Sequence, residues 1–311
     1  CTFCDQGLDA SKITAFSTKR LGEEMMYVGE KMSKLKGGTK SVAIFDSNWG
    51  LFQKDVDLAD HIAKVIEKYN WPQQIKCTTP KTNWNNLLKI DDKLKNRYFD
   101  MVKRICLDEA VEHMMQFVSV DAYGKKAEYI RNGLDFNRML DNVDEFLERI
   151  PVRNSITFII TYNNLSVTSL NDLLRDIRLL REKHSKTYQR VWFDIPLLRQ
   201  PAWQQITLLP ESYQAIHEAN IEYMRENSGE EKGLHIFKDF EIQKMLRNLA
   251  YWRKNANAST QNKKNFYAFF NEHDRRRLTN FETVFLAPEV KSYITGIIVL
   301  PPYHLVSFRS M

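Results

Sequence analysis

The sequence predicts an α/β fold: a parallel sheet with helices packed outside it, followed by a mostly helical C-terminal region. Two observations carry this. Over residues 1–205, short β-rich apolar runs alternate with longer stretches of helical periodicity. Repeated βα units of that kind imply parallel strands with helices on the outside, either as a barrel or as an open sheet. After Pro196 the alternation fails, Pro201 and Pro210 mark a loop-rich join, and residues 206–311 read as a mostly helical region. The chain has 311 residues, 43% of them hydrophobic and 27% charged. That is enough for one large domain or two ordinary ones, and it excludes a wholly disordered, collagen-like or disulfide-scaffold protein.

Each element has its own signal. Leu21, Met25, Val28, Met32 and Leu35 make one helical stripe over 18–35, which Gly37-Gly38 stops. The run SVAIFD at 41–46 reads as a strand. Val56, Ala59, Ile62, Ile66 and Tyr69 place a helix over 54–69, and 73–77 is a weaker strand. Residues 92–105 read as a helix of poor pattern, and QFVSVD at 116–121 as a strand. Leu140, Val143, Phe146, Leu147 and Ile150 give a helix over 137–150, and SITFIIT gives a strand at 155–161. A helix over 169–182 and the strand RVWFDI at 190–195 complete the series; 211–226 and 237–255 are helices. The series opens on a helix although a βα series normally opens on a strand, so a further strand is expected upstream of Cys1.

Chemistry in such folds sits at the C-terminal ends of the strands. The residues there are mostly polar: 46–50, 78–81, 121–124, 162–164 and 196–199. Lys81 and Arg199 are candidate contacts for an anionic group. The net charge is +6, from 45 Lys/Arg and 39 Asp/Glu. The tightest basic cluster, Arg275-Arg276-Arg277, is flanked by Glu272 and Asp274 and reads as a solvated helix end rather than a nucleic-acid face. The longest apolar stretch, at 294–305, is broken by Gly296, Pro301 and Pro302, too short to span a bilayer. Four Cys in so long a chain point to a reducing compartment, with the cytoplasm as the default address. Nucleotide P-loop, Rossmann, zincin and nucleophile-elbow motifs do not occur.

Cys1-Thr2-Phe3-Cys4 precedes the first helix. Two thiolates at this spacing can share a metal or cluster; half a zinc site, a redox pair or two unrelated thiols are the other readings. The pair, with Phe3 directly before the last Cys, resembles the tail of the C-x3-C-x2-C motif of the radical SAM superfamily. Asp46-Ser47-Asn48-Trp49-Gly50 with Lys54-Asp55 is similar to that family's D-x-N-F-G…R-D segment. Ser119-Val120-Asp121 with Glu128-Tyr129-Ile130-Arg131-Asn132-Gly133 is similar to the S-x-D…Y-E-x-I-R-x-G stretch of its SPASM and twitch branches.

The resemblance covers roughly residues 1–285 and implies a partial (β/α)6 TIM-like barrel, of which the five strands read above are strands two to six. It implies Cys1 and Cys4 as ligands of a 4Fe-4S cluster. It also implies that Phe3, Asp46, Asn48, Ser119, Asp121, Arg131 and Asn163 contact S-adenosylmethionine. Arg131 could instead pair with Glu128 or Asp135. The implied activity is reductive cleavage of S-adenosylmethionine to a 5′-deoxyadenosyl radical that abstracts hydrogen from a substrate, by family analogy a peptide or protein. The electron donor would be a flavodoxin or ferredoxin. The family's first ligand Cys is expected four residues before Cys1, together with the first strand. Cys77 and Cys106 occupy no motif position, and no Cys beyond 106 could hold an auxiliary cluster. The alternative is a non-catalytic barrel-fold module that binds an anionic partner through the strand-end mouth and Arg275–Arg277.

Overall fold

The computed structural model describes residues 2, 16–45, 49, 52–78, 92–109, 111–229, 233–234, 236–256 and 259–285. The apolar runs form five parallel strands: β1 (Ser41–Ile44), β2 (Gln74–Thr78), β3 (His113–Ser119), β4 (Asn154–Ile159) and β5 (Val191–Asp194). Their spatial order is their chain order, β1-β2-β3-β4-β5. The connecting helices are α2 (Gln53–Tyr69), α3 (Asp92–Lys103), α4 (Gly124–Ile130), α5 (Phe136–Arg149) and α6 (Leu170–His184), with α1 (Thr18–Lys34) ahead of β1. Neighbours in this series pack on one another: α1 on α2, α2 on α3, α3 on α5 and α5 on α6. A strand order that always steps the same way, with crossovers of one hand, lays its helices in one layer.

Local chemistry sets the helix ends. Ser17 Oγ accepts from the Arg20 N–H, Asp55 Oδ2 from the Phe52 N–H, and Asp135 Oδ1 from the Arg138 N–H. Asn70 closes α2 in the left-handed conformation. A π-helical turn, Arg104–Asp108, extends α3 beyond the expected end at 105.

Register sorts the strands into two faces. Ile75, Cys77, Met114, Gln116, Val118, Ile156, Phe158, Val191 and Phe193 are buried and share one face. The helices cover that face: Tyr98 of α3 donates to Gln116 Oε1, and Arg181 of α6 lies over the Phe193 ring. On the opposite face Gln74, Lys76, His113, Met115, Phe117 and Ser119 are not buried, whereas Ser155 and Thr157 of β4 are. The sheet is not closed; β1 and β5 are its edges. The β5 edge is covered by side chains, since Arg181 Nε and Gln189 Nε2 both donate to the Val191 carbonyl. The β1 edge has no strand partner among the described residues, and Phe45 beside it is 91% exposed.

Beyond β5, α7 (Gln214–Glu226) and α8 (Asp239–Asn255) pack on each other, and α8 is locked to α6. Arg181 and Glu241 form a fully buried bidentate pair, at 2.6 and 3.1 Å. Arg181 also donates to the Ile236 carbonyl, and its guanidinium lies over the Phe193 and Phe237 rings. This compact unit runs through Phe266; the second begins at Tyr267. In the second, Phe270 and Phe285 flank Phe281, within the end of α9 (Thr260–Arg277) and α10 (Phe281–Phe285). Among the described residues no helix is long and apolar enough to cross a membrane.

Two expectations shift. β3 starts at His113, ahead of the expected 116, because Gln74 and Ile75 of β2 pair with His113 and Met114, which carry no β-branched signal. In α1 the face against α2 is the glycine face: Gly22 meets His61, and Gly29 meets Val65 and Tyr69. The apolar stripe is left partly open, with Val28 39% and Leu35 58% exposed. A Cβ at Gly29 would lie 2.4 Å from Val65 Cγ1. Gly29→Leu is therefore expected to cost about 1–3 kcal/mol through overpacking, and Val28→Ala less than about 0.5 kcal/mol. Urea unfolding of the two variants measures this; equal costs would mean that the stripe, not the glycine face, carries the packing.

Candidate functional site

The strand-end residues gather around Asp121. In Ser119-Val120-Asp121 the side chains alternate, so Ser119 ends β3 on the open face and Asp121 follows on the same side. Asp121 is fully buried. Its Oδ2 lies 2.8 Å from Arg131 Nη2, and its Oδ1 accepts from the Thr161 N–H at 3.0 Å. One carboxylate thus joins the outlets of β3 and β4 to the end of α4. Arg131, also buried, has Asp121 as an ion-pair partner, where the sequence had left Glu128 and Asp135 open as alternatives. Glu128 accepts from the Phe136 N–H and binds Lys125, while Asp135 caps α5. Gly133, at φ +84°, closes the intervening turn. So two residues expected to contact a ligand independently meet each other.

Thr2 lies beside this pair. Its N–H donates to the Ile130 carbonyl at 3.0 Å, next to Arg131 in the chain. Its hydroxyl donates to Gln204 Oε1 at 3.2 Å, and its carbonyl accepts from Gln204 Nε2 at 3.1 Å. Thr2 is the residue after Cys1 in the C-x-x-C segment, so part of that segment is held at the C-terminal end of the sheet. Cys1, Phe3, Cys4, Asp46, Asn48 and Lys81 lie outside the described residues. Trp49, from the same motif as Asp46, is buried edge-on against Tyr98 at 5.5 Å, and Asp55 caps α2.

Asn163 is buried at the end of β4, and both ends of its amide serve the turn. Nδ2 donates to the Thr161 carbonyl at 2.7 Å, and Oδ1 accepts from the Leu165 N–H at 2.9 Å. Tyr162 reaches the other way. Its hydroxyl donates to His217 Nδ1 at 2.7 Å, and His217 Nε2–H donates to the Met245 carbonyl at 2.9 Å. Burial pushes the Tyr162 phenol up and the His217 imidazolium down, so both groups are neutral at pH 7. Arg199 lies 4.0 Å above the Tyr251 ring.

The two other thiols are inert. Cys77 and Cys106 are buried, and each donates to a backbone carbonyl, Met115 and Arg153 respectively. Burial pushes the Cys106 thiol up to about 12 and the Cys77 thiol higher. Among the described residues no group of three or more His, Cys, Asp or Glu side chains is gathered for a metal. In the basic cluster Arg275 and Arg276 both bind Glu272, at 2.6 Å each. Sequence reasoning missed Gln204, Thr2 and His217. Gln204 sits in the Pro-rich join, where no periodicity marks it. His217 had only its place in a helix.

A scan against protein-family models finds no match, and no curated protein matches the chain.

Two measurements test this geometry. Arg131→Met strands a buried carboxylate and is expected to cost about 3–5 kcal/mol; adding Asp121→Asn, which keeps an acceptor for the Thr161 N–H, recovers part of it. A cost under about 1 kcal/mol would remove the pair from the structural account. For His217, the folded pKa lies below 6.5. Between that pKa and 6.5 the unfolded chain binds more protons, so stability falls as pH falls through this window. His113 is depressed for the same reason, burial first and then Lys76, and adds the same sign. Each contributes up to about 1.4 kcal/mol per pH unit. Urea unfolding between neutral and mildly acidic pH is expected to show this slope, and His217→Gln to flatten it.

Proposed function

We propose that this chain is a radical SAM-type enzyme built on a partial (β/α)6 barrel, acting by reductive cleavage of S-adenosylmethionine and hydrogen abstraction from a peptide or protein substrate. The observation that carries the reading is the place of Thr2. The one described residue of the C-x-x-C segment is held at the C-terminal end of a parallel sheet, where ligands bind in such folds. Three further features support it. The strands follow one another in chain order, as barrel strands do. The β1 edge, without a strand partner among the described residues, suits a further strand. Ser119, Asp121 and Asn163 belong to the strand ends, and Arg131, paired with Asp121, follows the Ile130 carbonyl that binds Thr2.

The cluster fits this chain in kind but not in number. A thiol pair at C-x-x-C spacing suits an iron–sulfur site, and residues 1–311 offer two such thiols where the family's cluster takes three. Cys77 and Cys106 cannot complete the set, being buried on the helix-covered side with raised pKa values. Asp121 and Arg131 bind each other and the Asn163 amide closes its own turn, so these groups would shape the mouth beside the face that carries Ser119. S-adenosylmethionine and substrate would lie over that face.

The gene decides the first point: the codon four before Cys1 is expected to encode Cys, and any other residue overturns the cluster assignment. Anaerobic reconstitution of the gene-encoded protein with iron and sulfide is expected to give a brown chromophore and, with a strong reductant, 5′-deoxyadenosine from S-adenosylmethionine. Cys1→Ala or Cys4→Ala is expected to abolish both. Residues 1–311 alone are expected to hold no stable stoichiometric 4Fe-4S cluster. A colourless reconstituted protein that yields no 5′-deoxyadenosine sinks the proposal.

A further inference from the structure

We propose that Arg199 is the recognition residue of the strand-end mouth and selects peptides by an acidic side chain. This rests on the reading above, which supplies a peptide or protein substrate, and adds the charge that the substrate carries.

The polypeptide leaves β5 still paired with the β4 outlet. The Tyr162 N–H donates to the Pro196 carbonyl, and the Leu198 N–H to the Tyr162 carbonyl, at 2.8 and 2.9 Å. Arg199 comes next, at the C-terminal end of the sheet. One face of α8 follows the same course. Phe240, Lys244, Asn248 and Tyr251 lie four, four and three positions apart, which is one side of a helix. In that order they meet Trp192, Asp194, Ile195 and Arg199. The Phe240 and Trp192 rings are 6.1 Å apart, Asn248 Nδ2 donates to the Ile195 carbonyl at 3.0 Å, and the Arg199 guanidinium lies 4.0 Å over the Tyr251 ring. Register puts Trp192 and Asp194 on the open face of the sheet, in line with Thr157 and Ile159.

Charge and shape then select the ligand. Asp194, the acid in this row, is neutralised by Lys244. Arg199 is exposed, and among the described residues no carboxylate pairs with it. Gln205 Nε2 donates to the Arg199 carbonyl and fixes its backbone. Stacking on Tyr251 holds the plane of the guanidinium and leaves its N–H edge for a carboxylate, which it can take bidentate. A fork already held in place loses less freedom on binding. At the other end of the row Phe240 is 50% exposed and offers an apolar contact. From Phe240 to Tyr251 the helix rises about 16 Å, so a small anion cannot reach both ends. An extended peptide can: residues four apart project on one side and stand about 13 Å apart, and side-chain reach covers the rest.

The test uses the full chain, without iron, and three pentapeptides blocked at both ends. The first carries a fluorinated Phe at one end and Glu at the other, with Gly and Ser between. The second replaces Glu by Gln. The third replaces Phe by Ala and is read by competition with the first. Fluorine NMR of the peptide gives the dissociation constants. The parent is expected to bind the Glu peptide about tenfold tighter than the Gln peptide at low salt. Arg199→Met keeps a contact with Tyr251 and is expected to abolish that preference. Arg199→Lys, a charge without the fork, is expected to retain part of it. Tyr251→Leu removes the shelf and is expected to lower it. The preference is a ratio read within each variant, so a general loss of stability leaves it unmoved. The Ala peptide is expected to compete several-fold more weakly than the first. A parent that binds the Glu and Gln peptides equally, or binds neither, overturns the inference, as does a preference that survives Arg199→Met. An Ala peptide that competes as well as the first overturns the peptide assignment. If the radical chemistry proposed above fails while the Glu preference stands, that reading falls and Arg199 remains a peptide-recognition residue.

Discussion

The buried carboxylate of Asp121 is the joint on which the C-terminal end of the sheet depends. Parallel strands diverge at their ends, and the backbone groups they release must find partners. Asp121 answers for two strands at once, with one oxygen on the Thr161 N–H beyond β4 and the other on Arg131 beyond α4. Neither charge is tolerable alone in that environment; each is there because the other is. The pair also fixes the end of α4, and the Ile130 carbonyl there receives the Thr2 N–H. Thr2 hangs from Gln204 on its other side. A chain of contacts thus runs from the sheet core to the C-x-x-C segment.

A second buried pair does the corresponding work for the helices after β5. Arg181 spends its guanidinium on Glu241 and on the Val191 and Ile236 carbonyls, with Phe193 and Phe237 against its faces. Glu241 in turn accepts from the Lys238 N–H at the start of α8. With these partners satisfied, the desolvation cost of both charges is offset, and α8 is tied to the sheet edge. The Tyr162–His217–Met245 chain ties α7 and α8 to the β4 outlet in the same way. These helices therefore belong to the compact unit that ends at Phe266, although their sequence style changes near residue 205.

Alternation of apolar runs with helical periodicity was enough to read the α/β class, the five strands and most helices, because both periods are local properties of the chain. Helix α4 was not legible: Gly124-Lys125-Lys126 opens it without an apolar stripe, and its placement comes from the buried Ala127, Tyr129 and Ile130. The stripe on α1 was legible as a stripe, yet not which face would pack, since that depends on how closely α2 can approach Gly22 and Gly29. Of the strand-end residues, Ser119, Asp121, Arg131 and Asn163 stood out as polar groups at the right topological positions. That Asp121 and Arg131 spend themselves on each other, and Asn163 on its own turn, was invisible in the sequence.

By itself, the sequence determined a parallel α/β chain whose polar residues fall at the strand ends, and a thiol pair ahead of the first helix. Tertiary structure alone decided which of those polar groups are structural partners, that β1 keeps an open edge among the described residues, and that Gln204 reaches Thr2. The physical reason is range. Periodicity and capping are written within one or two helical turns, whereas a buried charge or amide is assigned its partner only when elements 10 to 202 positions apart pack together.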